Sequence, residues 1–303
     1  MRRGFRHEAL IYRDRDEYLA GTVPFLRAGV EAGEPALVAV SRQNTALLEA
    51  ELGDAGAVRF ADMESLGRNP ARIIPFMQDF LDEHGGVPAR AVSEPLWPGR
   101  APAEVEECQR HDSLLNAAFA AAPEWSLLCP YDASALDDEV LEAVSRSHGA
   151  VSHDGVSEPS ADYELAADHF AGELPDRPPG IAGFPFERPD LAEVRRRVEE
   201  AAESVGVPSL DVAAVVVAAS ELAANSVAHG GGAGMLRIWT EPGALLIEIQ
   251  DGGWIVDPLV GRLRPTMTQE GGRGLWMANQ LCDLVQIRSG EDGTVVRLQA
   301  ARP

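Results

Sequence analysis

The stretch SELAANSVAHG, residues 220–230, sets Glu221, Asn225 and His229 at intervals of four in an alanine-rich run. That spacing lays a carboxylate, a carboxamide and an imidazole along one face of a helix. The opposite face carries Val212, Val215, Val216, Ala219 and Leu222, a stripe fit to pack on a sheet. Alone, a polar stripe of this kind reads as the solvated side of an amphipathic helix. What lies downstream decides whether it is more.

Two segments bear on it. IEIQDGG ends a strand with Asp251, Gly252 and Gly253. A carboxylate there can accept a hydrogen bond while the backbone turns away, although an ordinary Asp-Gly turn has the same letters. EGGRGLWMANQLCD then places Gly271, Gly272 and Gly274 just ahead of a helix. Glycines at that point let backbone approach a phosphate while helix N–H groups point at it. A Gly-x-Gly also serves simply as a loop. The order carries the information: polar helix, strand-end Asp-x-Gly, Gly-x-Gly opening a helix, and a final Gly-Thr strand, GTVVRL, containing Thr294.

The surrounding pattern predicts helices over 190–205 and 209–228, with Pro208 and Ser209 at the start of the second. Strands follow over 234–242 and 244–251, joined by a turn at Pro242-Gly243. A Gly/Pro-rich loop spans 252–273, a helix 274–284, and a hairpin 285–300 closes the pattern. This is an α/β two-layer sandwich on a largely antiparallel sheet, assigned to 181–303. IAGFPFERPD (181–190) has the apolar content of a strand, and its prolines confine it to an edge. Proline punctuates the preceding stretch, and 151–180 is assigned to a linker.

Residues 1–150 alternate differently. Short apolar runs at 8–12, 35–41, 57–62, 89–97 and 125–132 are separated by helical patterns near 16–32, 42–53, 70–84 and 104–121, with another at 136–147. Such alternation predicts a largely parallel sheet covered on both faces. Ligands of such sheets favour the carboxyl ends of strands, here Ser41, Asp62, Glu94 to Trp97 and Cys129 to Asp132.

Bulk properties narrow the chemistry. With 303 residues, 45% apolar and 24% charged, the chain has the balance of a globular protein of one large or two ordinary domains. A formal net charge of -22 repels phosphate backbones and disfavours direct nucleic-acid binding. Every basic residue is arginine. Without lysine there is no P-loop, no Schiff base and no strand lysine of the eukaryotic protein-kinase type. Cys108, Cys129 and Cys282 are far apart with no C-x-x-C, which supports neither a zinc motif nor a disulfide framework. MRRGFRHEALIY lacks the apolar segment of a secretory signal. The longest apolar run, 212–219, falls short of the roughly 18 residues of a membrane span. A cytoplasmic protein without membrane contact is expected.

The ordered motifs of 180–303 resemble the GHKL (Bergerat-fold) ATPases, and within them the anti-sigma-factor serine kinases. The resemblance implies that Glu221 is the general base for an acceptor hydroxyl and Asn225 a Mg²⁺ ligand on the phosphates of ATP. Asp251 would accept the adenine amino group, with Gly253 allowing close approach of the ring. Gly272 and Gly274 would shape the phosphate loop, with Arg273 nearby, and Thr294 would sit beside the adenine. The family's second motif commonly reads Asp-x-Gly-x-Gly, whereas Ile255 takes the place of its second glycine. His229 has no assigned role.

RHEALIY, GRNPARIIPF, SEPLWPGR, ECQRHDSLLN and LLCPYD, within about 5–150, resemble the MEDS sensor domain. That resemblance implies a RecA-like α/β fold, here without a P-loop lysine. His7, Glu8, Glu94, Trp97, Arg100, His111, Asn116, Cys129 and Tyr131 stand out in its motifs. Of these, His7, Glu94, Trp97, His111, Cys129 and Tyr131 form the candidate sensor pocket, and packing and capping account for the same residues equally well. The two resemblances together imply a sensor that controls an ATP-dependent serine/threonine kinase. Its target would be an anti-anti-sigma partner, with a sigma factor as a second partner and a homodimer as one assembly. A non-catalytic ATP-binding or partner-binding anti-sigma module is the alternative.

Overall fold

The computed structural model describes residues 4–53, 56, 58–153, 156–164, 170–265 and 272–302. The chain divides into two units, Met1–Ala167 and Asp168–Pro303.

The first unit is built on strands β1 (Phe5–Tyr12), β2 (Ala36–Val40), β3 (Val58–Asp62), β4 (Ala89–Ser93), β5 (Trp125–Asp132), β6 (Ala150–His153) and β7 (Val156–Pro159). Their order in the sheet is β3-β2-β4-β5-β1-β6-β7, and every pairing is parallel except the β6/β7 hairpin. All five residues of β2 are buried, as a strand covered on both faces requires. The helices are α1 (Arg15–Glu31), α2 (Arg42–Leu52), the single turn α3 (Met63–Leu66), α4 (Ile73–Glu83), α5 (Pro102–Ala118) and α6 (Asp138–Ser147). Short polar side chains at strand ends start several of them. Asp14 caps α1 by accepting from the N–H groups of Asp16 and Glu17, and Ser41 caps α2 by accepting from Asn44 N–H. β4 stops at Ser93, short of the apolar run that continues to Trp97, because Pro95 cannot donate to a ladder.

β7, and β6 from its second residue, fall inside the segment assigned to a linker. Their letters are polar and turn-rich, yet Glu8, Ala9 and Leu10 of β1 pair with Ala150, Val151 and Ser152. The backbone of β1 supplies the ladder that the side chains of β6 do not advertise.

The second unit has one sheet in the order β11-β12-β10-β9-β8, antiparallel throughout. Its strands are β8 (Gly183–Glu187), β9 (Ala233–Glu241), β10 (Ala244–Asp251), β11 (Leu284–Gly290) and β12 (Gly293–Ala301). β8 lies at the edge, where Pro185 is tolerated. Helices α7 (Leu191–Ser204), α8 (Ser209–His229) and α9 (Arg273–Leu281) form the second layer. Val194 and Val198 of α7, Val215, Ala219 and Leu222 of α8, and Ala278 of α9 share one core with Ile247, Ile249, Val296 and Leu298 of the sheet. α9 ends three residues earlier than its pattern predicts, because Leu284 already belongs to a strand.

α8 as a whole is long and apolar enough to cross a membrane by composition, with a mean hydropathy of 1.5. Its apolar side is the centre of this core, and α8 is the packing helix of the unit.

On the opposite face of the sheet, the Glu248 carboxylate is 1% exposed and meets three guanidinium groups, those of Arg177, Arg237 and Arg297. Alternation along β10 produces both faces at once: Ile247 and Ile249 point to the helices, Glu248 to the arginines.

Candidate functional site

α8, the end of β10 and the start of α9 and β12 enclose a cavity of about 180 Å³ in the second unit. Its lining includes Asn225 and His229 from α8, Asp251 and Gly253 beyond β10, Trp254 and Ile255 from the following loop, Gly272 ahead of α9, and Thr294.

The floor is a closed set of hydrogen bonds. Asp251 Oδ1 accepts from the Gly253 N–H at 2.8 Å, and Asp251 Oδ2 accepts from the Ser226 hydroxyl at 2.6 Å. Thr294 donates to the Gly253 carbonyl at 2.8 Å and lies 2.7 Å from the Ser289 hydroxyl. Ser289 in turn accepts from the Ile255 N–H at 2.8 Å. Asp251, Gly253 and Thr294 are thus locked together, and Ile255 is held beside them and lines the cavity. Gly293 opens β12 at φ 109, and a Cβ there would fall inside the radius of the Asp251 carbonyl oxygen. Only glycine lets β12 start this close under Asp251.

Beside the cavity, Gly274 sets how closely α9 meets α8. A Cβ at this position would lie 2.7 Å from Asn225 Nδ2, 3.2 Å from Glu221 Cβ and 3.4 Å from Glu221 Oε2. The missing side chain therefore brings the first turn of α9 against Glu221 and Asn225. Gly272 precedes α9 at φ 79, and Arg273 is the first residue of the helix. The first turn of a helix offers N–H groups with no partner within the helix, and its dipole favours an anion. Glu221 and Asn225 are half-buried and His229 is exposed at the end of α8. Gly271 lies outside the described residues.

The spacing of the motifs thus translates into one locale. Two of its members, Ser226 and Ser289, were not singled out by sequence. Ser226 is a small residue on the buried side of an alanine-rich helix, and only its contact with Asp251 distinguishes it.

A larger cavity of about 550 Å³ lies on the opposite face of the same sheet, lined by Arg177, Arg288, Arg297, Glu248 and the segment 170–176. Among the described residues its lining includes no helix N-terminus, and its carboxylate Glu248 is already paired with arginines.

In the first unit the candidate sensor residues separate into three places. Glu94 follows β4 and is 4% exposed. It accepts from Asn44 at 2.8 and 2.9 Å, from the Ser41 N–H at 3.2 Å and from the Tyr12 hydroxyl at 3.3 Å. Burial raises its carboxyl above the usual range, partly offset by these donors. Trp97 stacks on the Arg100 guanidinium at 3.6 Å. His7, Cys129 and Tyr131 gather elsewhere, between β1, β5 and α5, with His111 buried close by.

Three residues that the motifs did not bring into the pocket complete that last group. His148, between α6 and β6, lies against His7 with ring centroids 3.9 Å apart and the rings tilted by 39°. Asn116 Oδ1 lies 3.3 Å from His7 Nδ1, and Asp112 accepts from the Tyr131 hydroxyl at 2.8 Å. Burial dominates the titration of the group. It pushes the Asp112 carboxyl up to about 7 and the His148 imidazole down to about 4. His7 is held well below the usual histidine range by burial and then by His148, and burial raises the Cys129 thiol and the Tyr131 hydroxyl.

Comparison with known families assigns both halves. The model of the MEDS family (methanogen/methylotroph, DcmR sensory domain) matches residues 6–149, and that of the histidine kinase-like ATPase domain matches residues 184–300. Comparison with curated proteins gives no match. Among solved structures, the RsbU and RsbW domains of Rv1364c from Mycobacterium tuberculosis share 22% identity, at a TM-score of 0.30 over 40% of this chain. The overlap spans 33% of that structure's length. The largely parallel sheet of the first half and the antiparallel sandwich of the second accord with the two family matches, and the chain joins a MEDS sensory domain to a histidine kinase-like ATPase domain.

Proposed function

We propose that the second unit binds ATP in the cavity between α8 and β10 and passes its γ-phosphoryl group to a serine or threonine hydroxyl of a protein partner. The observation that carries this reading is the approach of Gly274 to Glu221 and Asn225. It sets a helix N-terminus, suited to phosphates, beside a carboxylate and a carboxamide. The base-sized cavity floored by Asp251 opens at the same place. Asp251 Oδ2 and Oδ1 each hold one donor and retain lone pairs for an adenine amino group.

Glu221 takes the proton from the acceptor hydroxyl. Gly272, Arg273 and Gly274 place N–H donors and a guanidinium beside the phosphates, and Thr294 and Gly253 hold the wall against the ring. The oxygen atoms of Asn225 and Glu221 are hard donors of the kind Mg²⁺ takes, so Asn225 would hold the ion. Mg²⁺ bound there supplies charge neutralisation on the phosphates. The sensory unit regulates this transfer, and the partner is of the anti-anti-sigma class, with sigma-factor binding as the output of a cytoplasmic regulator.

The test is phosphoryl transfer from labelled ATP to partner proteins captured from the native cytosol. Glu221→Ala should lower the transfer rate about 10²–10⁴-fold while ATP binding persists. Unchanged transfer removes Glu221 as the base, and a well-folded wild-type protein that binds no ATP with Mg²⁺ removes the kinase reading. The alternative, a non-catalytic binding module, draws on Ile255, whose side chain narrows the cavity where the family has glycine. It prevails if the wild-type protein captures a partner but never transfers phosphate to it.

A further inference from the structure

The buried group in the first unit gathers imidazole and thiol ligand atoms in one place. His7, Cys129 and His148 each offer a ligand atom, and these atoms lie within 4.8 Å of one another. The surrounding protein fixes the tautomer of both imidazoles. Asn116 Nδ2 donates to the Ser147 carbonyl at 2.8 Å, which turns Asn116 Oδ1 toward His7 Nδ1. His7 Nδ1 therefore carries the proton, and its Nε2 lone pair faces Cys129 Sγ at 3.5 Å. His148 Nδ1 donates to the Val144 carbonyl at 2.9 Å, which leaves the lone pair on His148 Nε2 as well. Both rings are thus oriented by a second layer of acceptors, the arrangement characteristic of histidine metal ligands.

We propose that His7, Cys129 and His148 form a binding site for a zinc-type divalent cation inside the sensory unit. A thiolate with two imidazoles is a ligand set for zinc and its neighbours rather than for calcium or magnesium. The dimensions agree. Zn–S and Zn–N bonds of about 2.3 and 2.05 Å at tetrahedral angles give an S···N edge of about 3.6 Å. The Cys129 Sγ to His7 Nε2 separation is 3.5 Å. Bringing the widest pair to this scale takes a contraction of about 1 Å. On binding, the Cys129 thiol releases its proton and both imidazoles coordinate as neutral donors. Three protein ligands leave the fourth position of a tetrahedral ion open. The site stands independently of the kinase reading, since it uses no residue of the second unit.

The test uses the full chain, stripped with a chelator and titrated with Co²⁺ under reducing conditions. One equivalent should bind with a thiolate-to-cobalt charge-transfer band and the visible bands of tetrahedral cobalt, and Zn²⁺ should displace it. Cys129→Ser should abolish the charge-transfer band, whereas Cys108→Ser and Cys282→Ser should keep it. Asn116→Ala, which releases the His7 ring, should weaken Co²⁺ binding about 10–100-fold with circular dichroism unchanged. Stripped wild-type protein that keeps its circular dichroism yet takes up no Co²⁺ overturns the site. So does a charge-transfer band that survives in Cys129→Ser.

Discussion

The two units treat their polar groups in opposite ways. In the first, Asp112, Tyr131, Cys129 and His148 are enclosed, and burial drives each toward its neutral form. In the second, Glu221 and Asn225 stand half-buried on α8, Asp251 is half-buried at the floor of the cavity, and the enclosed carboxylate Glu248 has three arginines. Low dielectric favours neutral donors and acceptors, which suits lone pairs waiting for a ligand. A reaction that handles phosphates needs groups that keep their charge, by partial hydration or by an ion partner. The contrast is one of chemistry as well as of depth.

The strongest way to break the contrast is to remove the carboxylate that the second unit does bury. Glu248→Ala leaves the guanidinium groups of Arg237 and Arg297 facing each other with no counter-charge, and Arg177, whose side chain is 38% exposed, only partly hydrated. Loss of one partner from a buried ion network costs about 3–5 kcal/mol, and the exposure of Arg177 argues for the lower end. Chemical denaturation of the full chain should show the transition of the second unit moved by that amount. A change under about 1 kcal/mol would mean that water already serves the arginines. Gly293→Ala comes next. It sets strain at φ 109 against a clash with the Asp251 carbonyl and should cost on the order of 2–3 kcal/mol. Because the displaced strand floors the cavity, ATP affinity should fall in the same variant, and calorimetry that finds it unchanged would detach Asp251 from the nucleotide.

The sequence exposes these two sites unequally, for a physical reason. Motifs in the second unit are punctuated by glycines and strand ends, and turn chemistry fixes where such residues fall. Glu221, Asp251 and Gly274 are therefore legible as an ordered set. Their mutual approach is not, because Gly274 needs its partner helix to show what its missing Cβ admits. In the first unit His7 and Cys129 lie on neighbouring parallel strands, 122 positions apart in the chain. His148 arrives beside them only because β6 adds to the free side of β1. Nothing local to SRSHGAVSH marks that pairing, and the stretch reads as the end of a helix running into a linker at 151.

Glu94 sharpens the comparison from the other side, as an enclosed carboxyl of the first unit outside the cluster of His7. It faces Tyr12, Ser41 and Asn44, and the nearby Tyr18 hydroxyl is also raised by burial. Burial raises its pKa above that of the unfolded chain, so the folded state holds the proton more tightly. The resulting stability is fully present below the unfolded pKa and is lost as pH rises through the folded one. Glu94→Gln has no such titration. Urea denaturation at about pH 4 and pH 7 should show wild type losing ground to this variant at the higher pH. A gap that is the same at both pH values would show that the donors around Glu94 cancel its burial.

The smallest expected effect falls at the most open point of the cavity. Trp254 is 65% exposed and lines it, whereas Trp125 and Trp239 are 1% and 5% exposed and belong to packed regions. An exposed indole contributes little to folding, so Trp254→Phe should change stability by less than about 0.5 kcal/mol. Its fluorescence is the natural reporter of a ligand entering between Asp251 and Ile255. Adding ATP with Mg²⁺ should change the emission of wild type, and Trp254→Phe should lose most of that signal while binding by calorimetry stays within about threefold. If the signal survives the substitution, another tryptophan such as the half-buried Trp276 of α9 reports the ligand, and Trp254 does not mark its entry.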